Sequence, residues 1–156
     1  MEDSDAFTLS EASRRLAALP VDGMIIGMSR MAPDFEQFCP QPGMNTVIVT
    51  MYAHPRCTTI DSDHYGCSTL VMNHLFDHGH KEIRFVSGPS FSIDSAFREA
   101  GWRDALTARG LQPAEPMAGD WTANSGYRIG LKLAEDKEMT AVYAANDQMA
   151  MGVIAA

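Results

Sequence analysis

Residues 140–156, TAVYAANDQMAMGVIAA, limit most sharply what this chain can fold into. A β-branched and apolar run from Thr140 to Ala145 stops at Asn146-Asp147, and a helical pattern begins at once. That order is a buried strand, a polar corner and a helix N-terminus. Asp147 suits the N-cap, because its carboxylate can accept from first-turn N–H groups that have no partner inside the helix. In a parallel α/β sheet such a corner lies at the carboxyl end of a strand, where these sheets place ligands. The fold class therefore turns on whether the same unit recurs upstream.

It does recur. Residues 1–8 are polar and read as a frayed start. Residues 9–19 carry apolar side chains at helical spacing (Ala12, Leu16, Ala17, Leu19) and stop at Pro20. Residues 24–28 form a short apolar run, and residues 29–45 are irregular, with one helical turn at 34–38. Strands are expected at 46–51 and 57–60, and a long helix at 65–78 with Gly79 as its C′ residue. The alternation then restarts: a strand at 82–87, a helix at 93–109 stopped by Gly110, an extended segment at 111–118 and a helix at 124–136. Strands separated by helices imply parallel sheets. The series breaks near residue 79, so two packed lobes are expected, 1–79 and 80–156.

Composition removes several function classes. The net charge is −8, with no basic cluster, so these residues offer little that could neutralise nucleic-acid phosphates. Cys39, Cys57 and Cys67 are odd in number and match no metal spacing, which reads as free thiols in a reducing cytosol. No apolar run approaches the ~20 residues of a membrane helix. There is no Gly-x-Ser-x-Gly elbow, Walker loop, Gly-x-Gly-x-x-Gly or Cys-x-x-Cys, so no catalytic residue and no cofactor is assigned. His74 and His78 share a helix face, with His80 close by, but no further ligand completes a metal site.

Three segments carry a resemblance. The first is Asp63-x-x-Gly66 with His74-Leu75-x-x-x-Gly79-His80 and the run Lys81–Pro89, KEIRFVSGP. The second is Arg98-x-Ala100-Gly101-Trp102 leading to Gly119-Asp120-Trp121-x-x-x-Ser125-Gly126-Tyr127. The third is Ala145-Asn146-Asp147-Gln148-Met149-Ala150-x-Gly152. In this order they resemble the ligand-binding core of the lactose-repressor (LacI/GalR) family of bacterial transcription regulators, over roughly residues 9–156. The resemblance implies a periplasmic-binding-protein-like fold, a two-lobed three-layer α/β/α arrangement with parallel sheets. It implies that 1–79 and 80–156 are parts of the N-terminal and C-terminal subdomains. It also implies that the core is incomplete here and that the DNA-reading helix-turn-helix lies outside the chain.

The same resemblance nominates effector-binding residues. Arg98 would offer its planar fork to vicinal hydroxyls or a carboxylate; an ion pair with Glu99 or Asp104 is the alternative. Trp121 would stack on the apolar face of a pyranose, or pack as core. Asn146 carries both an acceptor and a donor, which suits a hydroxyl, or it bonds its own turn. Ser92 and Asp94 occupy the loop after Gly88-Pro89, and Asp94 is equally suited to cap the following helix. Trp102 reads as core. Near Met51 the family usually carries an aspartate that this sequence lacks, which removes one polar contact from the first lobe; Asp63 is expected to shape the entry to the long helix instead. The function implied is effector sensing, with a sugar as the small-molecule partner, in a cytoplasmic homodimeric regulator whose lobes close on the ligand. Operator DNA would be contacted only through the helix-turn-helix. A solute-binding protein for sugar transport is the rival reading.

Overall fold

The computed structural model describes residues 8–156; the frayed start expected at 1–8 lies outside the described residues except for Thr8. Two compact units divide the chain, Met1–Ser62 and Asp63–Ala156.

The first unit contains α1 (Leu9–Ala17), β1 (Gly23–Gly27), β2 (Asn45–Val49) and β3 (Thr58–Ile60). The strands form one parallel sheet in the order β1-β2-β3. Ile48 on the central strand is fully buried, whereas Val47 and Val49, which point to the other face, are half-buried. Thr8 caps α1, its hydroxyl accepting from the Glu11 N–H at 3.2 Å. The irregular stretch 29–45 is tied to that helix start. The Asp34 carboxylate accepts from the Leu9 and Ser10 N–H groups at 2.8 and 2.9 Å. Burial pushes its pKa up, but these hydrogen bonds outweigh that and hold it below the usual carboxylate range. His54 is buried, with Nε2 2.8 Å from the Phe35 carbonyl and Nδ1 accepting from the Arg56 N–H. The His54-Pro55-Arg56 link between β2 and β3 is thus pinned onto the turn at 34–38.

The second unit contains α2 (His64–Asp77), β4 (Ile83–Ser87), α3 (Ile93–Thr107), β5 (Met117–Ala118), α4 (Ala123–Leu133), β6 (Ala141–Ala144) and α5 (Asp147–Ala155). Its sheet is also parallel, in the order β5-β4-β6. Alternate side chains of a strand point to opposite faces. Phe85 on β4 stacks on Trp102 of α3 with ring centroids 5.4 Å apart, and Trp102 Nε1 donates to the Ile83 carbonyl. The adjacent Arg84 donates instead to Asp136, just after α4, at 2.7 Å. The α2–α3 pair and the α4–α5 pair therefore cover opposite faces, giving three layers. Trp102, expected in the core, is completely buried there.

Two particulars differ from the sequence, the lobe boundary and the cap of α5, and a third, the extended segment, is narrowed. The helix α2 packs with α3 in the second unit, so the compact units part at 62/63 rather than 79/80. Ser68 of α2 explains the attachment: its hydroxyl donates to the Arg98 carbonyl at 2.9 Å and lies 2.6 Å from the Tyr143 hydroxyl. The segment 111–118 supplies only the two-residue β5, since Pro113 and Pro116 lack the N–H a ladder needs. The cap of α5 is Asn146 and not Asp147, which is the first helical residue. Among the described residues no helix is long and apolar enough to cross a membrane.

The α4–α5 contact depends on Gly152. A Cβ there would lie 2.0 Å from the Ala123 carbonyl oxygen, so the two helices meet backbone to backbone. That contact fixes where the N-terminus of α5, and with it Asn146, sits beside the loop that precedes α4.

Candidate functional site

In the second unit the carboxyl ends of β4, β5 and β6 each run into a polar loop that caps the next helix. Ser92 caps α3, its hydroxyl accepting from the Ser95 N–H at 3.3 Å. Thr122 caps α4 by accepting from Ser125 N–H at 3.1 Å. Asn146 caps α5 by accepting from Met149 N–H at 3.0 Å. Each cap satisfies a first-turn donor that would otherwise be orphaned.

Trp121 is the most constrained residue of these loops. Its φ is +72°, a conformation that a bulky side chain adopts at a cost of order 1–3 kcal/mol. Two neighbours hold it there. Asn146 Nδ2 donates to the Trp121 carbonyl at 3.0 Å. The indole lies against Gly88, where a Cβ would come within 2.2 Å of the ring. Arg98 on α3 brings its guanidinium carbon to 5.8 Å from the indole centroid, within cation–π range. Arg98, Trp121 and Asn146 are therefore brought together.

Asp94 joins them indirectly. It sits in the first turn of α3, and Ser92 takes the capping role also open to Asp94. Its Oδ1 lies 3.3 Å from His64 Nε2, and His64 Nδ1 lies 3.1 Å from Arg98 Nη2. His64, the first residue of α2, was not singled out from the sequence; its partners are 30 and 34 residues further on. Asp63 caps α2 in the left-handed region, φ 43°, and accepts from Gly66 N–H at 2.9 Å, in keeping with its expected place at the helix entry. Arg98 pairs with neither Glu99 nor Asp104: Glu99 receives Arg103, and Asp104 accepts from the Tyr65 hydroxyl.

Ser92 differs from the others in being buried, 2% exposed. It lines a separate pocket of about 290 Å³ with Gly88, Pro89, Ser95, Glu99 and Pro116. Asn146 also has less to offer than its side chain suggests, because both amide hydrogens are spent on the Trp121 carbonyl and on Gln148 Oε1 at 2.8 Å. What remains for an incoming hydroxyl is the second lone pair on Oδ1.

Charge around the loops is well defined. The Thr122 hydroxyl, with Ser125 and the Thr122 N–H, holds the Asp120 carboxyl down to about 2. Burial pushes the Tyr143 phenol up, against the Ser68 hydrogen bond and the Arg98 charge. Among the described residues no group of three His, Cys, Asp or Glu side chains could hold a metal ion. The first unit has a pocket of about 780 Å³, but its lining of Met31, Pro33, Phe35, Tyr52 and Pro55 carries Glu36 as the one ionised group.

Residues 72–156 match the family model of the periplasmic binding protein-like domain. The lactose operon repressor of Klebsiella pneumoniae is 29% identical over 98% of this chain and 44% of its own length. That of Escherichia coli K12 is 36% identical over 60% of this chain and 26% of its own. A solved Lac repressor bound to ONPG superposes with a TM-score of 0.79 at 29% identity, over 94% of this chain and 45% of that one. A complex of the regulator CelR with cellobiose gives 0.76 at 25%, over 92% and 46%. The chain thus spans under half the length of these relatives. With a parallel α/β architecture, capped loops at the strand ends and these matches, the chain belongs to the LacI/GalR family, as part of its periplasmic-binding-protein-like effector-binding core.

Proposed function

We propose that this chain senses a small-molecule effector, a sugar, for a LacI-type transcription regulator, and that Arg98, Trp121, Asn146 and Asp94 meet the effector. The observation that carries this is the cluster itself: an indole held at φ +72° by Asn146 and Gly88, with a guanidinium 5.8 Å from its centroid. An aromatic face with a few convergent polar groups suits a pyranose, which is apolar on its C–H face and polar at its rim. Relatives support the same class, since one is described with ONPG and one with cellobiose. Relatives named as repressors favour regulation over the transport reading. A related Lac repressor is described as a dimer on its operator, which supports a homodimeric regulator here. The effector acts by binding one conformational state more tightly than another, the only way a ligand can shift an equilibrium.

A thermal-shift screen of neutral sugars and nucleobases tests this. A binder at a hundredfold excess over its Kd stabilises by about 2.7 kcal/mol. A sugar that raises Tm in the wild type, and far less in Trp121→Ala, supports the reading. A screen in which only nucleobases raise Tm refutes the sugar class, and a shift that survives Trp121→Ala refutes the site.

A further inference from the structure

We propose that His64 is a positioning residue that ties Arg98 to Asp94 and thereby makes the site select a neutral polyhydroxyl ligand over its phosphorylated or carboxylated counterpart. This rests on the reading above, in which Arg98 and Asp94 meet the effector.

Both ring nitrogens of His64 are committed. Arg98 can only donate, so Nδ1, 3.1 Å from Nη2, is the acceptor. The ring proton therefore sits on Nε2, 3.3 Å from Asp94 Oδ1. One imidazole thus accepts from the cation on its Nδ1 edge and lies against the anion on its Nε2 edge. The ring itself is held well: its side chain is 16% exposed, and it opens α2 next to the Asp63 cap.

Two consequences follow. The guanidinium is fixed by His64 on one side and the Trp121 indole on another, so little of its freedom remains to be lost when a ligand binds. The Nη2 group is engaged, and the other guanidinium N–H groups stay available as donors. The second consequence concerns charge. Asp94 and Arg98, four residues apart on one face of α3, sum to zero. A ligand phosphate that approaches Arg98 also approaches the Asp94 carboxylate, and like charges in a partly dry site repel strongly. Hydroxyls meet no such penalty, because they can donate to Asp94 and accept from Arg98 at once.

Calorimetry with ONPG, cellobiose, galactose and galactose 6-phosphate tests the proposal on the protein and four variants. Asn at position 64 places its amide oxygen where Nδ1 stood and keeps the Arg98 contact, whereas Leu keeps neither contact. Wild type is expected to bind a neutral probe at least about tenfold tighter than galactose 6-phosphate. His64→Leu loses about ten- to a hundredfold for that neutral probe, the size of a charge-assisted hydrogen bond. His64→Asn recovers most of the loss, which a merely structural histidine would not allow. Asp94→Asn narrows the gap between galactose and galactose 6-phosphate. Circular dichroism melts confirm that each variant folds; should His64→Leu fail to fold, the His64→Asn and Asp94→Asn results decide alone.

Neutral binding that His64→Leu leaves intact while Arg98→Ala abolishes it overturns the His64 role and leaves effector sensing standing. Equal or tighter binding of galactose 6-phosphate overturns the selectivity. Failure of every probe, in wild type as in variants, overturns the sensing of sugars and this proposal with it.

Discussion

Asn146 holds two structures at once, and substitution can separate them. Its Oδ1 caps α5 through the Met149 N–H at 3.0 Å, while its Nδ2 tethers the Trp121 carbonyl at the same distance. Loss of an N-cap costs about 1 kcal/mol. Loss of one partly buried hydrogen bond costs about another 1 kcal/mol. Asn146→Ala removes both and should destabilise by about 2 kcal/mol, an upper figure because a released Trp121 recovers part of its backbone strain. Asn146→Ser keeps a capping oxygen but cannot reach Trp121, so it should lose about half as much. Urea unfolding followed by circular dichroism reads this directly. With m near 1–3 kcal/mol/M, Ala should shift the midpoint by roughly 1 M and Ser by roughly half that. Equal shifts for the two variants, or none for either, refute the division into cap and tether.

Further outcomes are expected. Gly88→Ala places a methyl within 2.2 Å of the Trp121 ring, so the indole must leave; its fluorescence should red-shift, with an overpacking loss of about 1–3 kcal/mol, while buried Trp102 reports no change. The Asp120 carboxyl should titrate near 2 by NMR, against about 3.9 when unfolded; its stabilising effect is full above the unfolded value and lost as pH falls through about 2. Thr122→Val, which deletes the hydroxyl hydrogen bond to Asp120, should move that midpoint upward. Cys39 and Cys67 are exposed, whereas Cys57 is half-buried with its thiol pushed up by burial and by Cys39, so alkylation should reach Cys57 last. With a net charge of −8, the chain should bind double-stranded DNA negligibly in a gel-shift assay; salt-sensitive binding near nanomolar affinity would contradict this.

Most of the fold is legible in local sequence because the punctuation is strong. Gly79 and Gly110 both adopt positive φ just past α2 and α3, where the sequence places the helix ends. The apolar runs at Ile83–Ser87 and Ala141–Ala144 are too short for helices and read as strands; the first is the buried centre of its sheet, whereas the second, read as buried, is a half-buried edge. The choice between Asn146 and Asp147 as cap is not legible. Both side chains cap well, and only the extended backbone at Asn146, φ −149° and ψ 167°, decides it. The same limit hides the tether: nothing local to Asn146 says that its amide reaches a carbonyl 25 residues upstream. His64 is invisible for the same reason, as its role exists only once α2 lies on α3. Helix α2 was expected to close the first lobe because it precedes Gly79, yet its contacts through Ser68 are with Arg98 and Tyr143. Periodicity gives the apolar face of a helix but not the sheet that the face will cover.

The proposed effector contact of Arg98 beside Trp121 makes its guanidinium indispensable to sugar binding. Isothermal titration of ONPG and cellobiose into the wild-type protein and into Arg98→Ala tests it most directly. Saturable binding to a neutral sugar is expected in the wild type, weakened at least about tenfold in the variant, with an unchanged urea midpoint. Unchanged affinity in a folded Arg98→Ala protein would contradict it.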